Sequence, residues 1–289
     1  MNVKTMLSNI GVICANTFRE AVRDRILYII AVFVAVMILL SKVLGWISVN
    51  EDLKVVSDLG LMALSVFGAL VVIFLGTQLI HKEIDKRTIY VILARPVGRG
   101  QYVIGKYLGL LFTVFVLLAA MAVFFLAYLF IANLIQPPQR TIAGEGIPVY
   151  WGYILLAILF IFLEMIVLTA VATMFSSVST PVLSAVFTSI FYVVGHLADK
   201  IYELAVHVRN PGPAAQELAR TGSEAGYYIL MGIFYLFPNL NVFNIRNEAV
   251  YGIYRHYDYG YPGAIMAFAF FQAVLFLALG ILVFRRRNF

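Results

Sequence analysis

Six long apolar stretches constrain this chain more than any other feature of its sequence. Each holds between 17 and 29 residues and no more than one charged residue. A helix needs about 20 predominantly apolar residues to cross the hydrocarbon core of a bilayer. The sequence therefore predicts an all-α membrane protein with six transmembrane helices. The predicted spans are Ile26 to Val49, Leu59 to Ile80, Tyr107 to Ile135, Val149 to Phe175, Val182 to Ala198 and Gly263 to Phe284.

The composition excludes a water-soluble fold. The chain has 62% hydrophobic and only 12% charged residues, whereas a soluble protein carries about 25% charged residues. The formal charge of +6 is therefore read as membrane orientation, and nucleic-acid binding is not expected. Cys14 is the single cysteine, which excludes an intrachain disulfide. The N-terminus lacks the apolar core of a cleaved signal peptide and is read as mature.

The predicted spans divide the chain into an N-terminal segment, one transmembrane domain and a tail. Residues 1–25 place apolar side chains at helical spacing and predict an amphipathic elbow helix at the membrane surface. Residues 26–284 form the domain, and residues 285–289 form a basic tail. Within the domain, residues 199–262 make a long outer segment. It contains the apolar piece Gly226 to Phe237, which is too short to cross and predicts a re-entrant or interfacial helix that Pro238 ends.

The distribution of Lys and Arg predicts that both termini are cytosolic. Cytosolic segments gather most of the cations under this orientation, and the short outer loops hold only Lys54 and Arg140. The cytosolic cations are Lys4, Arg19, Arg23, Arg25, Lys82, Lys86, Arg87, Arg95, Arg99, Lys106, Arg285, Arg286 and Arg287.

The cytosolic loop between spans two and three predicts a second amphipathic helix. Ile84, Thr88 and Val91 fall on one side of it, and Pro96 ends it. A short helix of this kind fits a groove on a soluble partner, although a plain basic loop that obeys the orientation rule is the simpler alternative.

This loop also carries a family resemblance. Its pattern E-x-x-x-R-T, then I-Y-V-I-L-A-R-P-V-x-R and G-K, resembles the loop of ABC-2 type ABC transporter permeases, in particular the branch described as permeases for multicopper-enzyme maturation. The resemblance extends to the elbow, the six spans and the sequence FPNLNVFNIRNEAVYG of the outer segment. The pattern residues are Glu83, Arg87, Thr88, Leu93, Pro96, Arg99, Gly105 and Lys106.

The resemblance implies a division of labour between chains. Such a permease forms a homodimer in the inner (cytoplasmic) membrane of a prokaryote, and each copy docks its elbow and loop helix, the coupling helix, on a separate ATPase subunit that binds ATP and Mg. This chain would then be non-catalytic and hold no cofactor. The loop residues implied at the ATPase contact are Glu83, Arg87, Thr88, Val91, Pro96 and Arg99. Many members carry Gly where this chain has Arg87.

Two charged residues lie inside the predicted spans. Glu164 is near the middle of span four, where an ionised group costs about 3 kcal/mol, so it is expected to face the bundle interior. Lys42 lies in the outer part of span one, about 9 Å nearer the outside at 1.5 Å per residue. Lys42 and Glu164 could pair. Alternatively, Lys42 reaches the outer headgroups and Glu164 is protonated or hydrogen-bonded within the bundle.

The sequence also contains three smaller patterns. Gly60, Gly68 and Gly76, with the Gly105-x-x-x-Gly109 pair, predict close helix packing, within the chain more readily than between copies. The run from Gly100 to Lys106 matches most of a phosphate loop, but Tyr107 replaces the required Ser or Thr. Outer polar residues such as Asp199, Glu203 and His207 permit a metal site only weakly, because no tight His pair or Cys cluster accompanies them.

Four functions remain open. The leading hypothesis is the membrane subunit of an ATP-driven exporter, and a closely related one is a mechanical link that works on an extracytoplasmic partner protein. A proton-coupled secondary transporter using Glu164 is less favoured, because no internal repeat is visible. A lipid-modifying membrane enzyme is least favoured, because the spans hold no paired carboxylates or nucleophile motif.

Overall fold

A computed structural model describes residues 3–23, 32–36, 52–78, 98–135, 151–209, 223–251 and 261–286. All regular secondary structure in these ranges is helical, which confirms the all-α prediction. The helices are α1 (Val3–Arg23), α2 (Asp52–Gln78), α3 (Arg99–Ile135), α4 (Trp151–Val178), α5 (Pro181–His196), α6 (Ala198–Arg209), α7 (Ser223–Leu236), α8 (Arg246–Tyr251) and α9 (Tyr261–Arg286), with a 3-10 helix at Leu240–Phe243 between α7 and α8.

Four of the described helices, α2, α3, α4 and α9, are long and apolar enough to cross a membrane. The helices α5 and α6 form a bent pair that counts as a fifth span if taken together. Most of the first predicted span lies outside the described residues; residues 32–36 are helical, and the Phe33 ring lies 5.6 Å from Phe67 of α2. The count of six spans therefore stays a prediction.

Helix α4 is at the centre of the bundle. It packs against α2, α3, α5 and α9, and an unbroken row of its side chains from 163 to 173 is buried. Two contacts along α2 fix the helix directions: Gly76 lies against Ala172 of α4 and Leu110 of α3, and Gly68 lies against Met165 of α4 and Leu118 of α3. Helices α2 and α4 therefore run parallel, and α3 runs antiparallel to both, as the predicted topology requires.

The glycines in α2 and α3 pack helices within the chain, as predicted. A Cβ atom at Gly60 would meet the Phe125 ring, and one at Gly68 would meet Leu118 and Met165. Gly105 and Gly109 instead receive the elbow helix α1, through Ile13 and Thr17 respectively. The GxxxG pair thus forms the groove that holds α1 against α3. Close packing through small residues supplies the attraction that the hydrophobic effect does not supply inside lipid.

The start of α3 differs from the prediction. The helix begins at Arg99, eight residues before the predicted span, so Gly100 belongs to its first turn rather than to the preceding loop. At about 1.5 Å per residue, its 37 residues are far longer than a hydrocarbon core of about 30 Å. Lys106, predicted as a cytosolic loop cation, is buried beneath α1 with its Nζ atom 3.9 Å from Glu20 Oε2.

Helix α1, the start of α3 and the end of α9 form one assembly, here called the inner assembly because the predicted topology puts it on the cytosolic side. Arg99 donates a hydrogen bond from its guanidinium to the backbone carbonyl of Arg285 at 2.8 Å. The rings of Tyr102 and Phe284 stack at 5.7 Å between centroids. On the other side of α3, Phe18 of α1 packs edge-on against Phe112 at 4.7 Å. The loop 79–97, which holds the predicted coupling helix, lies outside the described residues and enters α3 directly through Gly98.

We expect Gly109→Ala to separate the elbow from α3. The added Cβ atom would lie 2.6 Å from Thr17 Cβ and 2.8 Å from the Cys14 carbonyl oxygen, so α1 must shift at a cost of about 2 kcal/mol. Burial raises the pKa of the Cys14 thiol, so this cysteine should react slowly with maleimide in the native protein. In the variant we expect its alkylation to be about tenfold faster.

The matched control is Gly152→Ala, because nothing lies within 4 Å of a Cβ atom at Gly152. This control should leave the alkylation rate unchanged. Equal rates in all three proteins would contradict the packing of α1 in the glycine groove.

Candidate functional site

The fifth predicted span ends at a sharp bend that lies level with the middle of α4. Helix α5 ends at His196 and α6 begins at Ala198, with the two axes bent by 61° at Leu197. The predicted span ended at Ala198, so α6 extends the helical chain by 11 residues into the segment predicted to lie outside. Broken helices near the centre of a bundle commonly form the substrate and ion sites of transporters.

Glu164 lies at the level of this break. It is about 20 Å from either end of α4 at 1.5 Å per residue, and its side chain is buried, with only 3% exposed. Its Oε1 atom lies 3.4 Å from His196 Nε2, without the alignment of a hydrogen bond. The prediction that Glu164 faces the bundle interior is confirmed. Lys42, its other predicted partner, lies outside the described residues, so that pairing stays a prediction.

A hydroxyl chain reaches the second carboxyl oxygen of Glu164. Ser65 Oγ on α2 donates to Glu164 Oε2 at 3.3 Å, and Tyr192 OH on α5 lies 3.1 Å from Ser65 Oγ. Because a serine hydroxyl has one hydrogen, Tyr192 must donate to Ser65 when Ser65 donates to Glu164. Side chains from α2, α4 and α5 therefore meet at this one carboxyl group. The polar character of Ser65 and Tyr192 within apolar spans was the only signal in the sequence that could have identified them.

The second half of the outer segment enters the bundle at this level. After α7 ends at Leu236, Phe237 packs on Phe191 of α5, 5.6 Å between ring centroids. Leu240 and the Pro238 carbonyl lie against Gly195, where a Cβ atom would be 2.7 Å from Leu240 Cγ. Gly195 thus gives the backbone room to approach the break. Further buried side chains of this segment are Phe243, Ile245, Ala249 and Val250.

Helix α7 spans Ser223–Leu236 and covers most of the predicted apolar piece, and Pro238 follows it, whereas the re-entrant or interfacial placement stays a prediction. Helix α7 is more exposed than the segment that follows it. Its exposed side chains are Tyr228, Ile229, Tyr235 and Leu236, and it packs mainly on α6. The residues that sequence reasoning assigned to the outer loop after Pro238 are the ones enclosed by α2, α4 and α5.

Three asparagines of the enclosed segment carry a hydrogen-bond network to Asp199. Asn239 and Asn241 donate from their Nδ2 atoms to the two oxygens of Asp199, at 2.6 and 2.5 Å. Asn244 Nδ2 donates to Asn241 Oδ1 at 3.2 Å, and Arg246 Nε donates to Asn244 Oδ1 at 2.8 Å. A continuous chain of amides therefore joins an acidic group on α6 to a basic group on α8. These polar contacts replace the water that the segment would otherwise need.

Arg246 adds positive charge near Glu164. Its guanidinium is close enough to interact electrostatically with Glu164 and His196, although no ion pair within 4.0 Å joins it to Glu164. Arg246 lies within residues 199–262, which the sequence alone predicts to be an outer segment. The spacing of Asn239, Asn241, Asn244 and Arg246 after Pro238 was a usable signal, because so many amides beside buried apolar residues require internal partners.

The predicted metal alternative does not come together in the structure. Asp199 is occupied by Asn239 and Asn241, Glu203 bonds Lys200 at 2.9 Å, and His207 is exposed. Within the described ranges no group of three His, Cys, Asp or Glu residues is placed to hold a metal ion. Asp199 instead forms hydrogen bonds with Asn239 and Asn241. This contact between the bent helix and the outer segment is called the polar joint below.

The predicted loop contacts Glu83, Arg87, Thr88, Val91 and Pro96 lie outside the described residues. Arg99 is described and lies at the first turn of α3, where it donates to the backbone carbonyl of Arg285 near the end of α9. This position is next to the predicted coupling helix, so a contact with a cytosolic partner stays a prediction for all six residues.

We expect Asp199→Asn to loosen the enclosed segment. The change removes the charge that accepts two short hydrogen bonds, each worth about 1.5 kcal/mol or more, and sets an amide against the Asn239 and Asn241 donors. Proteolysis or hydrogen exchange of residues 239–245 should become faster by about tenfold or more. Glu203→Gln, one turn along α6 on an exposed side chain, is the control and should have no effect.

The comparisons agree with this architecture. The family model described as ABC-2 family transporter protein matches residues 11–289, nearly the whole chain. No curated protein sequence matches the chain. Members of this family are membrane components of transporters and are generally not catalytic themselves. On the strength of the match over nearly its full length, this chain belongs to the ABC-2 family of transporter proteins.

Proposed function

We propose that the protein is the transmembrane permease subunit of an ATP-binding cassette exporter, driven by ATP and Mg in a separate ATPase subunit. The observation that carries the proposal is the family match over residues 11–289. By the resemblance of its loop, we assign the chain to the multicopper-enzyme-maturation branch. The working assembly contains two copies of this chain and two ATPase subunits, in a prokaryotic inner membrane with both termini in the cytosol.

The inner assembly supports a route for force from the ATPase. The predicted coupling helix leads into α3 through Gly98, and α3 is clamped by α1 through the glycine groove and by α9 through Arg99. A push on the loop would therefore move α1, α3 and the end of α9 together. The elbow is thus a second point at which the ATPase could move α1, α3 and the end of α9 together, which agrees with its implied ATPase contact.

The route continues from α3 to the polar joint. Tyr107 OH of α3 donates to the backbone carbonyl of Ile166 at 3.4 Å, two residues from Glu164 on α4. A shift of α3 along α4 would thus displace Glu164. Through the contact of Glu164 with His196, it would also displace the bend between α5 and α6. The break and its enclosed segment act as the outer gate, which opens when the contacts of Glu164 and Asp199 rearrange.

A specific observation favours a second candidate, mechanical work on an extracytoplasmic partner. Helix α7 leaves four apolar side chains exposed on one side, at positions 228, 229, 235 and 236, while its other side packs on α6. Because α6 joins the break directly, movement of the joint would swing this surface. The same drive from the ATPase serves both candidates.

The coupling contact is tested by charge reversal. We expect the double variant Glu83→Lys with Arg87→Glu to abolish co-purification with the partner ATPase subunit, because both charges then face the wrong partners. The control reverses an exposed ion pair on the opposite side, Lys200→Glu with Glu203→Lys, and should retain the ATPase. Undiminished co-purification of the first variant would overturn the assigned contact.

The gate is tested by Glu164→Gln, which keeps the side-chain volume and removes the charge. We expect ATP turnover of the reconstituted complex to fall about fivefold relative to wild type, because a contact that must rearrange in each cycle is altered by about 1 kcal/mol. Glu203→Gln is the matched control. Normal turnover together with normal transport in the Glu164 variant would restrict Glu164 to a structural role.

A further inference from the structure

The contact between Glu164 and His196 lacks a hydrogen that its geometry requires. His196 Nδ1 lies 3.1 Å from the backbone carbonyl of Tyr192. A carbonyl oxygen only accepts hydrogen bonds, so Nδ1 must carry the hydrogen that joins them. In a neutral imidazole, Nε2 then presents a lone pair, and this atom is the one that faces Glu164 Oε1 at 3.4 Å.

A lone pair and a carboxylate oxygen repel each other at this distance, and the repulsion is strong where water is excluded. The hydroxyl chain cannot supply the missing hydrogen, because Ser65 already donates to the other oxygen, Oε2. Tyr192 OH is in turn needed as the donor to Ser65 Oγ. Oε1 itself is buried and has no hydrogen-bond donor among the described residues.

We propose that Glu164 and His196 bind one proton between them, either as a carboxylic acid facing a neutral imidazole or as a carboxylate facing an imidazolium. This proton joins α4 to the last turn of α5, beside the break that receives the outer segment. The site is thus a proton-binding site that regulates closure of the joint. The inference concerns this chain alone and does not require the ATPase, so it can fail while the proposed function holds.

The other charged and titratable groups around the pair define the competing account. Tyr192 comes from α5, Arg246 from α8, and Asp199 from α6, where it is held by Asn239 and Asn241. Helix α2 presents only the Ser65 hydroxyl in the contacts described. The predicted cation partner Lys42 lies outside the described residues; within them, Arg246 is the one group that could neutralise Glu164 without a proton. It lacks an ion pair with Glu164, and its Nε atom is engaged by Asn244.

The proton is counted directly on the full-length protein in lipid at neutral pH. Infrared difference spectra of wild type against Glu164→Gln report whether Glu164 is a carboxylic acid. Nitrogen-15 NMR of histidine-labelled protein, with His196→Gln to assign the signal, reports whether His196 is an imidazolium. We expect exactly one of these two signatures. Neither signature, which would mean that a cation such as Arg246 or Lys42 balances the carboxylate, overturns the proposal, as does the presence of both.

Closure of the joint is measured in a second experiment by hydrogen exchange of residues 240–243. As the pH is raised until the proton leaves, exchange in wild type should rise relative to Glu164→Gln at the same pH, by about tenfold per pH unit for one linked proton. The glutamine keeps an N–H donor for Nε2 and should not respond. Glu203→Gln should behave as wild type. A constant ratio between wild type and Glu164→Gln would show that no proton holds the joint.

Discussion

The structure depends on the requirement that polar groups inside a lipid-embedded bundle find partners within the protein. Water is absent from the hydrocarbon core, so non-helical backbone survives there only where protein encloses it. The interruption at Leu197 and the irregular chain from Phe237 to Ile245 both face this requirement. They meet it together, because Asp199 at the start of α6 accepts from Asn239 and Asn241 and so ties one irregular element to the other. Neither element would be stable at this depth alone.

This joint explains why a single acidic residue can remain in the middle of the most enclosed helix. Glu164 is approached from two helices, by Ser65 on α2 and His196 on α5, and the joint adds Arg246 at longer range. Such a carboxyl is expensive in lipid unless it is engaged in this way. The end of the bundle around Arg99 is built differently, from the contacts of Gly105 and Gly109 with α1 and the stacked rings of Tyr102 and Phe284.

Some features of the candidate site were predictable because they follow from local composition. The burial of Glu164 follows from the cost of a charge in lipid, and the end of α7 follows from the missing N–H and ring of Pro238. The partners of Glu164 were not predictable. His196 lies 32 positions further along the chain, and Arg246 lies within residues 199–262, which were predicted to form an outer segment. Only the bend of 61° and the return of the outer segment bring these residues to one level.

The sequence by itself determined that this chain is an all-helical membrane protein, where most of its spans lie and which small residues allow them to pack. These properties depend on the transfer of side chains into lipid and on helical periodicity, both of which act over a few turns of chain. The tertiary structure decided that the fifth span breaks, that the segment after Pro238 is enclosed, and that Glu164 faces His196. Those outcomes depend on which distant polar groups satisfy one another, and that pairing is settled by packing in three dimensions rather than by any local pattern.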